Sequence, residues 1–331
     1  MSVIEAPAPA SPAGGVPVEA PPAQPGYTAY PPVPRPPRRV PKPPVLLAPL
    51  SPAQAVSRSV IITAVLLLFA FLLQVVVLSQ LQHLESQQRL RDAFRAQLAA
   101  GTAPVSEADY TGKMLRSTSP VGILSIPQIG VNEVLVEGTD SDTLKTGAGH
   151  RRDTPLPGQP GVSVLIGRAA AYGGPFSHIQ ELAPGDRFTV RTGQGSSTFE
   201  VIGVRYAGDP TPAALARGGS RLVLQSARGP AFAPNGVVYV DARLVSPVMD
   251  AGARWTTTGA LPPEERALQA DTREVWSLVF ALQFLLAAHL GAVWARRRVG
   301  SRKTWLVGAP VVALAVLLAA DRIVPLLPNV L

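Results

Sequence analysis

The residues that could carry out chemistry in this sequence are few, and their types exclude several mechanisms. The 331-residue chain has no cysteine, which excludes disulfides, thiolate metal sites and a cysteine nucleophile. Its histidines lack the spacing of a zinc-binding motif; they are His83, His150, His178 and His289. The sequence therefore predicts no metal site and no cofactor.

Two further patterns could carry chemistry, and each has a simpler interpretation. The carboxylate pair Glu264 and Glu265 is followed by Arg266, and no partner acid lies nearby in the sequence. This arrangement predicts a solvated surface rather than an acid–base site. The glycine-rich run Thr192–Gly195 lacks the strand-to-helix context and the lysine of a phosphate loop, so it predicts a hairpin turn.

The basic character of the chain has a membrane explanation. A net charge of +8 and a pI near 10.3 would ordinarily favour nucleic-acid binding. However, ten of the 30 Lys and Arg residues flank apolar runs, as the positive-inside rule requires of membrane proteins. These are Arg35, Arg38, Arg39, Lys42, Arg58, Arg296, Arg297, Arg298, Arg302 and Lys303. The sequence predicts the membrane as a partner and no nucleic acid.

Three apolar runs are long enough to cross that membrane. Twenty residues at a helical rise of about 1.5 Å span the roughly 30 Å hydrocarbon core. We expect transmembrane helices at 57–79, 274–295 and 304–327, with a basic cytoplasmic loop at 296–303. Both groups of basic residues place the N-terminus in the cytoplasm and the region between the first two spans outside the cell membrane. The predicted protein is therefore a multi-pass one.

The segments around these spans are polar or rich in proline. Residues 1–56 hold 17 of the 35 prolines, which predicts a disordered cytoplasmic tail. That tail is either a docking site for cytoplasmic partners or a solvated segment without one. Residues 80–114 begin with helical apolar spacing, which predicts a stalk helix and a linker. Residues 249–273 are predicted to be a polar linker.

The region between, residues 115–248, has a different pattern. Short β-prone runs alternate with Gly, Pro, Asn and Asp turns, which predicts an all-β barrel or sandwich. The runs are Gly122–Ile126, Val131–Val136, Val162–Ile166, Arg187–Thr192, Thr198–Tyr206, Leu222–Ser226 and Val237–Val240. About 130 residues are enough to bury a core of their own.

Several short segments of this region carry a resemblance through their residues and their order. Leu124–Val131 reads Leu-Ser-Ile-Pro-Gln-Ile-Gly-Val, and Arg221–Ala227 reads Arg-Leu-Val-Leu-Gln-Ser-Ala. The others are Val136–Asp140, Leu144–His150, Pro155–Gly161, Val164–Gly167, Tyr172–Phe176, Leu182–Asp186 and Gly236–Tyr239. Together they resemble the sortase family, the extracytoplasmic transpeptidases that attach proteins to Gram-positive cell walls. Leu124–Val131 is similar to the family's opening strand, and Arg221–Ala227 to the strand that carries the catalytic cysteine. These motifs resemble most those of actinobacterial, class E-like sortases. The resemblance implies a mainly β fold, an eight-stranded sortase-like barrel, carried with three transmembrane helices.

The same resemblance implies where the catalytic residues should stand. A sortase uses a cysteine nucleophile, a histidine that handles protons and an arginine that steadies the oxyanion. The matching positions hold Ala227, Arg168 and Gly236. Ser226 is the fallback nucleophile, although neighbours on a strand point to opposite faces, so Ser226 should face away if Ala227 faces the groove.

Three functions remain open at this point. The first is a non-catalytic pseudo-sortase at the cell surface, with Arg168 and Tyr172 as binding residues and Arg168 either paired with a groove carboxylate or solvated. Its partners would be sorting-signal peptides, an active sortase or other cell-envelope proteins. The second is an acyltransferase or hydrolase that uses Ser226 with His150 or His178. The third is a membrane assembly component whose barrel is a spacer. A separate alternative is that the resemblance to sortases is accidental and that the barrel belongs to an unrelated β fold. No Leu-Pro-x-Thr-Gly sorting signal occurs in the chain.

Overall fold

The computed structural model describes residues 51–257, 259–272 and 275–330. Most of the proline-rich segment predicted to be a disordered tail lies outside these described residues. Within them, the chain forms a β-barrel, three long apolar helical segments, and the linkers between.

Eight strands close into a barrel in the order β1-β2-β3-β4-β7-β8-β6-β5, which confirms the predicted fold class. The strands are β1 Pro120–Ile126, β2 Val131–Glu137, β3 Gly149–His150, β4 Gly161–Ile166, β5 Arg187–Thr192, β6 Gly195–Tyr206, β7 Ser220–Ala227 and β8 Val237–Leu244. Each of the seven runs expected from sequence lies in one of them. The eighth strand, β3, has two residues, too few for an alternating pattern.

The barrel interior is filled by side chains that alternate along the strands. On β7, Leu222 and Leu224 point inward and are fully buried. Phe188 and Phe199, on paired strands, stack with their ring centroids 5.7 Å apart, which adds an aromatic contact to the burial of apolar area. This interior is one continuous apolar cluster, which we call the inner core.

The helices are α1 Pro52–Leu73, α2 Ser79–Ala100, α3 Ser141–Thr146, α4 Val275–Val299 and α5 Ser301–Ile323. A π-helical turn, Gln74–Leu78, joins α1 to α2 without a break. Short 3₁₀ turns lie at Pro127–Ile129, Ile179–Glu181, Pro263–Glu265 and Val324–Leu326. Three helical segments of the described residues are long and apolar enough to cross a membrane: Val60–Ala100, Val275–Arg296 and Arg302–Leu326.

The first helix begins earlier than expected, inside the stretch predicted to be disordered. Ser51 and Gln54 form a reciprocal cap, in which each side chain accepts a hydrogen bond from the other's backbone N–H. Such a capping box satisfies donors that the first helical turn would otherwise leave unpaired. The cap explains why α1 begins at Pro52 rather than after it.

Helix α2 lies along the barrel and does not stand apart as a stalk. His83 Nε2 lies 3.1 Å from Glu133 Oε1 on β2. The Gln87 side chain accepts from Val134 N at 2.8 Å and donates to Val134 O at 3.3 Å. Phe94 is fully buried. These contacts fix the barrel relative to the helix that continues from α1.

The three long helices pack together through small and branched side chains. Ala70 of α1, Leu285 of α4, and Ala315 and Val316 of α5 form a buried cluster. Small residues at such an interface let helix backbones approach closely. At the end of the bundle nearest the barrel, Gln74 Nε2 donates to Asp321 Oδ1 at 3.1 Å.

Candidate functional site

Strands β4 and β7 end, and β8 begins, at one side of the barrel. This arrangement brings together the three positions that match the catalytic residues of sortases. Strands β4 and β7 are parallel, and their register ends at Ile166 opposite Gln225. Gly167 N then donates to Gln225 O at 3.0 Å, which extends the pairing by one residue. Ala227 is paired with Val237 at the start of β8. Arg168, Ala227 and Gly236 therefore lie at adjacent strand ends.

The outer face of these strands forms a second apolar surface, separate from the inner core. Val164 and Ile166 of β4 point outward together with Val223 of β7, and Ala227 and Tyr239 pack at the edge of the same cluster. We call this outer face of β4, β7 and β8 the groove. Ala227, half-buried, contributes only a methyl group to it.

Ser226 faces the other way. It shares the inward direction of Leu222 and Leu224, it is fully buried, and its Oγ donates to Gly167 O at 2.9 Å. Within the described residues no hydrogen bond joins Ser226 to a histidine. Its hydroxyl thus lacks a general base and does not face the groove.

The two histidines weighed as bases are engaged elsewhere. His150 is buried, with Nδ1 2.9 Å from Glu137 Oε2 and Nε2 3.0 Å from Pro155 O. Burial disfavours the charged ring, but the Glu137 carboxylate and these hydrogen bonds outweigh it, so the pKa of His150 is raised above 6.5. His178 is exposed and lies 2.7 Å from Glu181 Oε1. Each is therefore held by a local partner.

Arg168 is buried in the wall of the groove. It is 1% exposed, and its Nη2 donates to Ser141 O at 2.8 Å and to Ser141 Oγ at 3.0 Å. The guanidinium carbon lies 5.0 Å from the ring centroid of Tyr172, a cation–π distance. Burial lowers the pKa of Arg168 to about 10, so the group stays protonated at neutral pH and cannot accept a proton.

Tyr172 links this site to the long apolar helices. It is fully buried and packs with Val75 of the π-helical turn and Val324 just after α5. Burial raises the pKa of Tyr172 to about 12, so the phenol is neutral. Its φ of +51° is unusual for a residue with a side chain. Arg168 and Tyr172 are both buried, so neither side chain is open to a ligand in this arrangement.

Gly236 occupies a backbone conformation that an arginine would not tolerate easily. Its φ is +144°, a region open essentially to glycine alone. Gly236 O accepts from Arg228 N at 2.9 Å, closing the loop between β7 and β8. The exposed Arg228 guanidinium lies 4.1 Å over Tyr206, and Arg205 is 2.6 Å from Asp241. The nearby arginines are therefore engaged in other contacts.

The groove is covered by parts of the chain that follow the barrel. Val330 is fully buried and joins the groove residues in a single apolar cluster, with Ala267 and Leu268 packed beside it. We call this cluster, which includes Leu144 of α3, the outer cluster. Ala169 N, just past the end of β4, donates to Val330 O at 2.9 Å.

Polar contacts hold this cover in place. Asn329 is fully buried, and its Nδ2 lies 2.9 Å from Thr139 O and 3.0 Å from Arg266 O. Thr139 Oγ1 donates to Glu265 O at 2.6 Å. Arg152 Nε lies 3.2 Å from Glu265 Oε1. The hydrogen bonds of Asn329 Nδ2 and Thr139 Oγ1 fix the path of this segment, since leaving a buried polar group unpaired costs about 1–3 kcal/mol.

The expectation that Glu265 belongs to a solvated surface was wrong. Glu265 is 7% exposed, and burial raises the pKa of its carboxyl although Arg152 opposes the shift. No local pattern indicated this burial, because Arg152 is more than a hundred residues away in the sequence. Asn329 and Ser141 were missed for the same reason; the only local signal was the Leu-Pro pair at 327–328, directly after the last apolar run.

The barrel is similar in sequence to known proteins. Residues 124–244 match the family model described as Sortase domain. The matched segment runs from within β1 to the last residue of β8, so the match covers the barrel and less than half of the chain. Sortase D of Bacillus subtilis (strain 168) is 37% identical over 81 residues, which are 24% of this chain and 39% of that protein. The alignment therefore covers well under half of that relative.

Several solved structures similar to this chain are sortases. The Sortase D5 transpeptidase of Clostridium perfringens has 17% identity and a TM-score of 0.38, covering 50% of this chain and 99% of that one. Sortase E from Streptomyces avermitilis has 28% identity and a TM-score of 0.33, covering 38% and 88%. The match of residues 124–244 supports the predicted sortase-like barrel, whereas the class E-like subtype and the loss of catalytic residues stay predictions.

Proposed function

We propose that this chain is a membrane-anchored, sortase-like protein that binds an extended peptide or partner protein without acyl-transfer chemistry. The observation that carries the proposal is the methyl group of Ala227, which faces the groove at the end of β7 beside Arg168 at the end of β4. An alanine has no electron pair to donate to a carbonyl carbon, so no acyl-enzyme can form there.

The neighbouring residues support the same proposal. A buried guanidinium cannot take a proton from a nucleophile, and Gly236 offers no side chain to an oxyanion. The apolar floor made by Val164, Ile166 and Val223 remains. Such a floor can bury the side chains of an extended peptide, which is a common element of peptide recognition. Sorting-signal peptides, an active sortase and other envelope proteins are the partners we propose.

The proposed topology places the barrel outside the cell membrane and the N-terminal segment in the cytoplasm. The barrel contacts the bundle at the end that holds Gln74 and Asp321. The basic turn with Arg296 and Arg302 lies at the opposite end, near Ile62 of α1. Positive charge at the end away from the barrel supports this orientation under the positive-inside rule.

The test uses the full chain in lipid nanodiscs and a fluorescent peptide that contains Leu-Pro-x-Thr-Gly. We expect saturable binding by fluorescence anisotropy, and no binding of a peptide with the same residues in scrambled order. A chain that binds neither peptide, and that captures no envelope protein in a pull-down, would contradict the proposal. The alternative enzyme based on Ser226 predicts peptide cleavage that Ser226→Ala removes.

A further inference from the structure

A segment that follows the last long helix covers the groove. We call residues 327–330, which read Leu-Pro-Asn-Val, the tail segment. Asn329 and Val330 are fully buried, whereas Leu327 and Pro328 are half-buried. Asn329 and Val330 therefore carry the contact with the rest of the chain.

Val330 contacts the groove through both its side chain and its backbone. The side chain lies among Ile166, Val223 and Leu144 and is fully buried. The carbonyl oxygen accepts from Ala169 N, just past the end of β4, at 2.9 Å. Pairing of a peptide backbone with an open strand end, with pockets for side chains, is a common mode of peptide recognition.

Asn329 adds specific polar contacts to the apolar contact of Val330. Its side-chain amide reaches the carbonyl oxygens of Thr139, Glu264 and Arg266, and its backbone N–H donates to Gln269 O at 2.9 Å. The carbonyl oxygens come from two different parts of the chain, the loop before α3 and the linker after the barrel. The tail segment therefore holds both sides of its own binding site together.

We propose that the tail segment, anchored by Val330, is an internal ligand of the groove, and that an extended peptide with a branched apolar residue at this position binds in trans only when the tail segment leaves. This inference rests on the proposed peptide-binding function and names its ligand class and regulation. Ser226 and Ala227 take no part in it, because no bond is made or broken.

A short tether gives the internal ligand an advantage over a free peptide. Only the turn Val324–Leu326 separates the tail segment from α5. A segment on so short a connection acts at an effective concentration on the order of millimolar. A competing peptide sees only the fraction of molecules whose groove is empty, and its apparent dissociation constant rises by the inverse of that fraction. Release of the tail segment should therefore strengthen binding about tenfold or more.

The absence of cysteine allows a reversible test on the full chain. Ala169→Cys combined with Val330→Cys places two thiols beside the hydrogen bond that joins these residues. We expect the oxidised double variant in nanodiscs to bind a fluorescent Leu-Pro-Asn-Val peptide at least tenfold more weakly than the same sample after reduction. Each single-cysteine variant is the control and should show no change on reduction.

A second variant tests occupancy without a crosslink. Val330→Asp puts a charge into the apolar seat, which expels the tail segment because burying an unpaired carboxylate is costly. Binding of the peptide should become about tenfold tighter than in the unchanged chain. Val248→Asp is the matched control, since Val248 is 44% exposed, and it should leave binding unaltered.

The outcomes separate this inference from the proposed function. Weaker peptide binding by the oxidised double-cysteine variant, together with tighter binding by Val330→Asp, supports both. If the unchanged chain, the oxidised double-cysteine variant and Val330→Asp all bind the peptide equally well, the proposed peptide binding stands and the internal ligand is overturned. Unaltered affinity in Val330→Asp overturns it even if the disulfide blocks binding. If no form binds the peptide, the proposed function fails and the inference with it.

Discussion

The inner core and the outer cluster lie on opposite faces of the same strands, yet they are completed in different ways. On β7, Leu224 faces the inner core and Val223 faces the outer cluster. The inner core is closed mainly by the strands of the barrel and their loops. The outer cluster is completed by Val330 and Ala267, from segments that follow the barrel. One face thus serves the fold, while the other has an apolar surface that a detachable segment fills.

This difference implies two levels of stability. A region held by few apolar contacts and a handful of hydrogen bonds opens at lower free energy than the core of the domain. We expect the cover over the groove to exchange amide hydrogens faster than β4, β7 and β8 beneath it. The following predictions test that contrast, starting with the largest effect.

Leu224→Ala should destabilise the barrel more than Val223→Ala, although the two residues are neighbours. A fully buried leucine in a packed core costs about 2–5 kcal/mol on truncation to alanine. Val223 loses about two methylene equivalents on a face whose cover can adjust, roughly 1.6 kcal/mol. Melting temperatures of the full-length variants measure the effect. Equal shifts would contradict the distinction between the two faces.

Asn329→Ala should loosen the cover and leave the inner core unchanged. The substitution removes the buried donor to Thr139 O and Arg266 O, at a cost of about 1–3 kcal/mol. Hydrogen exchange followed by mass spectrometry should show faster exchange in residues 261–271 and at Ala169, but not in β1 or β7. Gln269→Ala, an exposed neighbour of the same cover, is the control. Faster exchange throughout the barrel would sink this prediction.

The pair His150–Glu137 should make stability depend on pH. Because the pKa of His150 is raised in the folded chain, its charged form stabilises the fold. That contribution is complete below the ordinary pKa of 6.5 and is lost as the pH rises through the raised value. The buried Glu265, whose pKa is also raised, acts in the same direction from 4.5 upward.

The melting temperature should therefore fall as the pH rises above about 6.5. His150→Gln should flatten this fall by removing the titrating ring. His178→Gln, which alters a side chain 61% exposed, should leave the profile as it was. A melting temperature that rises over this range would contradict the assigned direction.

Ala227→Cys is expected to give the smallest change, with no cleavage of a sorting-type peptide. A restored thiol would still face a protonated Arg168 and a glycine at position 236, and losing a catalytic base alone costs a factor of about 10⁴–10⁶. Cleavage is measured with a peptide labelled for fluorescence quenching, and alkylation of the new thiol confirms access. Cleavage by this single variant would mean that the site retains catalytic groups.

Much of the barrel could be predicted from the sequence because its signals are local. Runs such as Arg187–Thr192 alternate between buried and exposed residues, and their predicted bounds match the strand. The start of α1 was missed because the cap at Ser51 lies in a proline-rich stretch. Strand β3 was missed because two residues carry no period.

The site was only partly predictable. The strand-end positions of Arg168 and Ala227 follow from the resemblance, and strand alternation gave the direction of Ser226. The cover could not be foreseen, since it depends on contacts between Asn329 and Thr139, 190 residues apart. Such long-range contacts leave no pattern in neighbouring residues, and a buried asparagine looks like a solvated one in sequence.

We expect peptide binding in the groove to occur without bond cleavage, and mass spectrometry can show whether it does. The full chain in nanodiscs is incubated with excess Leu-Pro-x-Thr-Gly peptide and an amine acceptor, and the protein and the peptide are then weighed by mass spectrometry. We predict an unchanged protein mass and an intact peptide. A peptide adduct on the protein, or cleaved or joined peptide above the level without protein, would contradict the account.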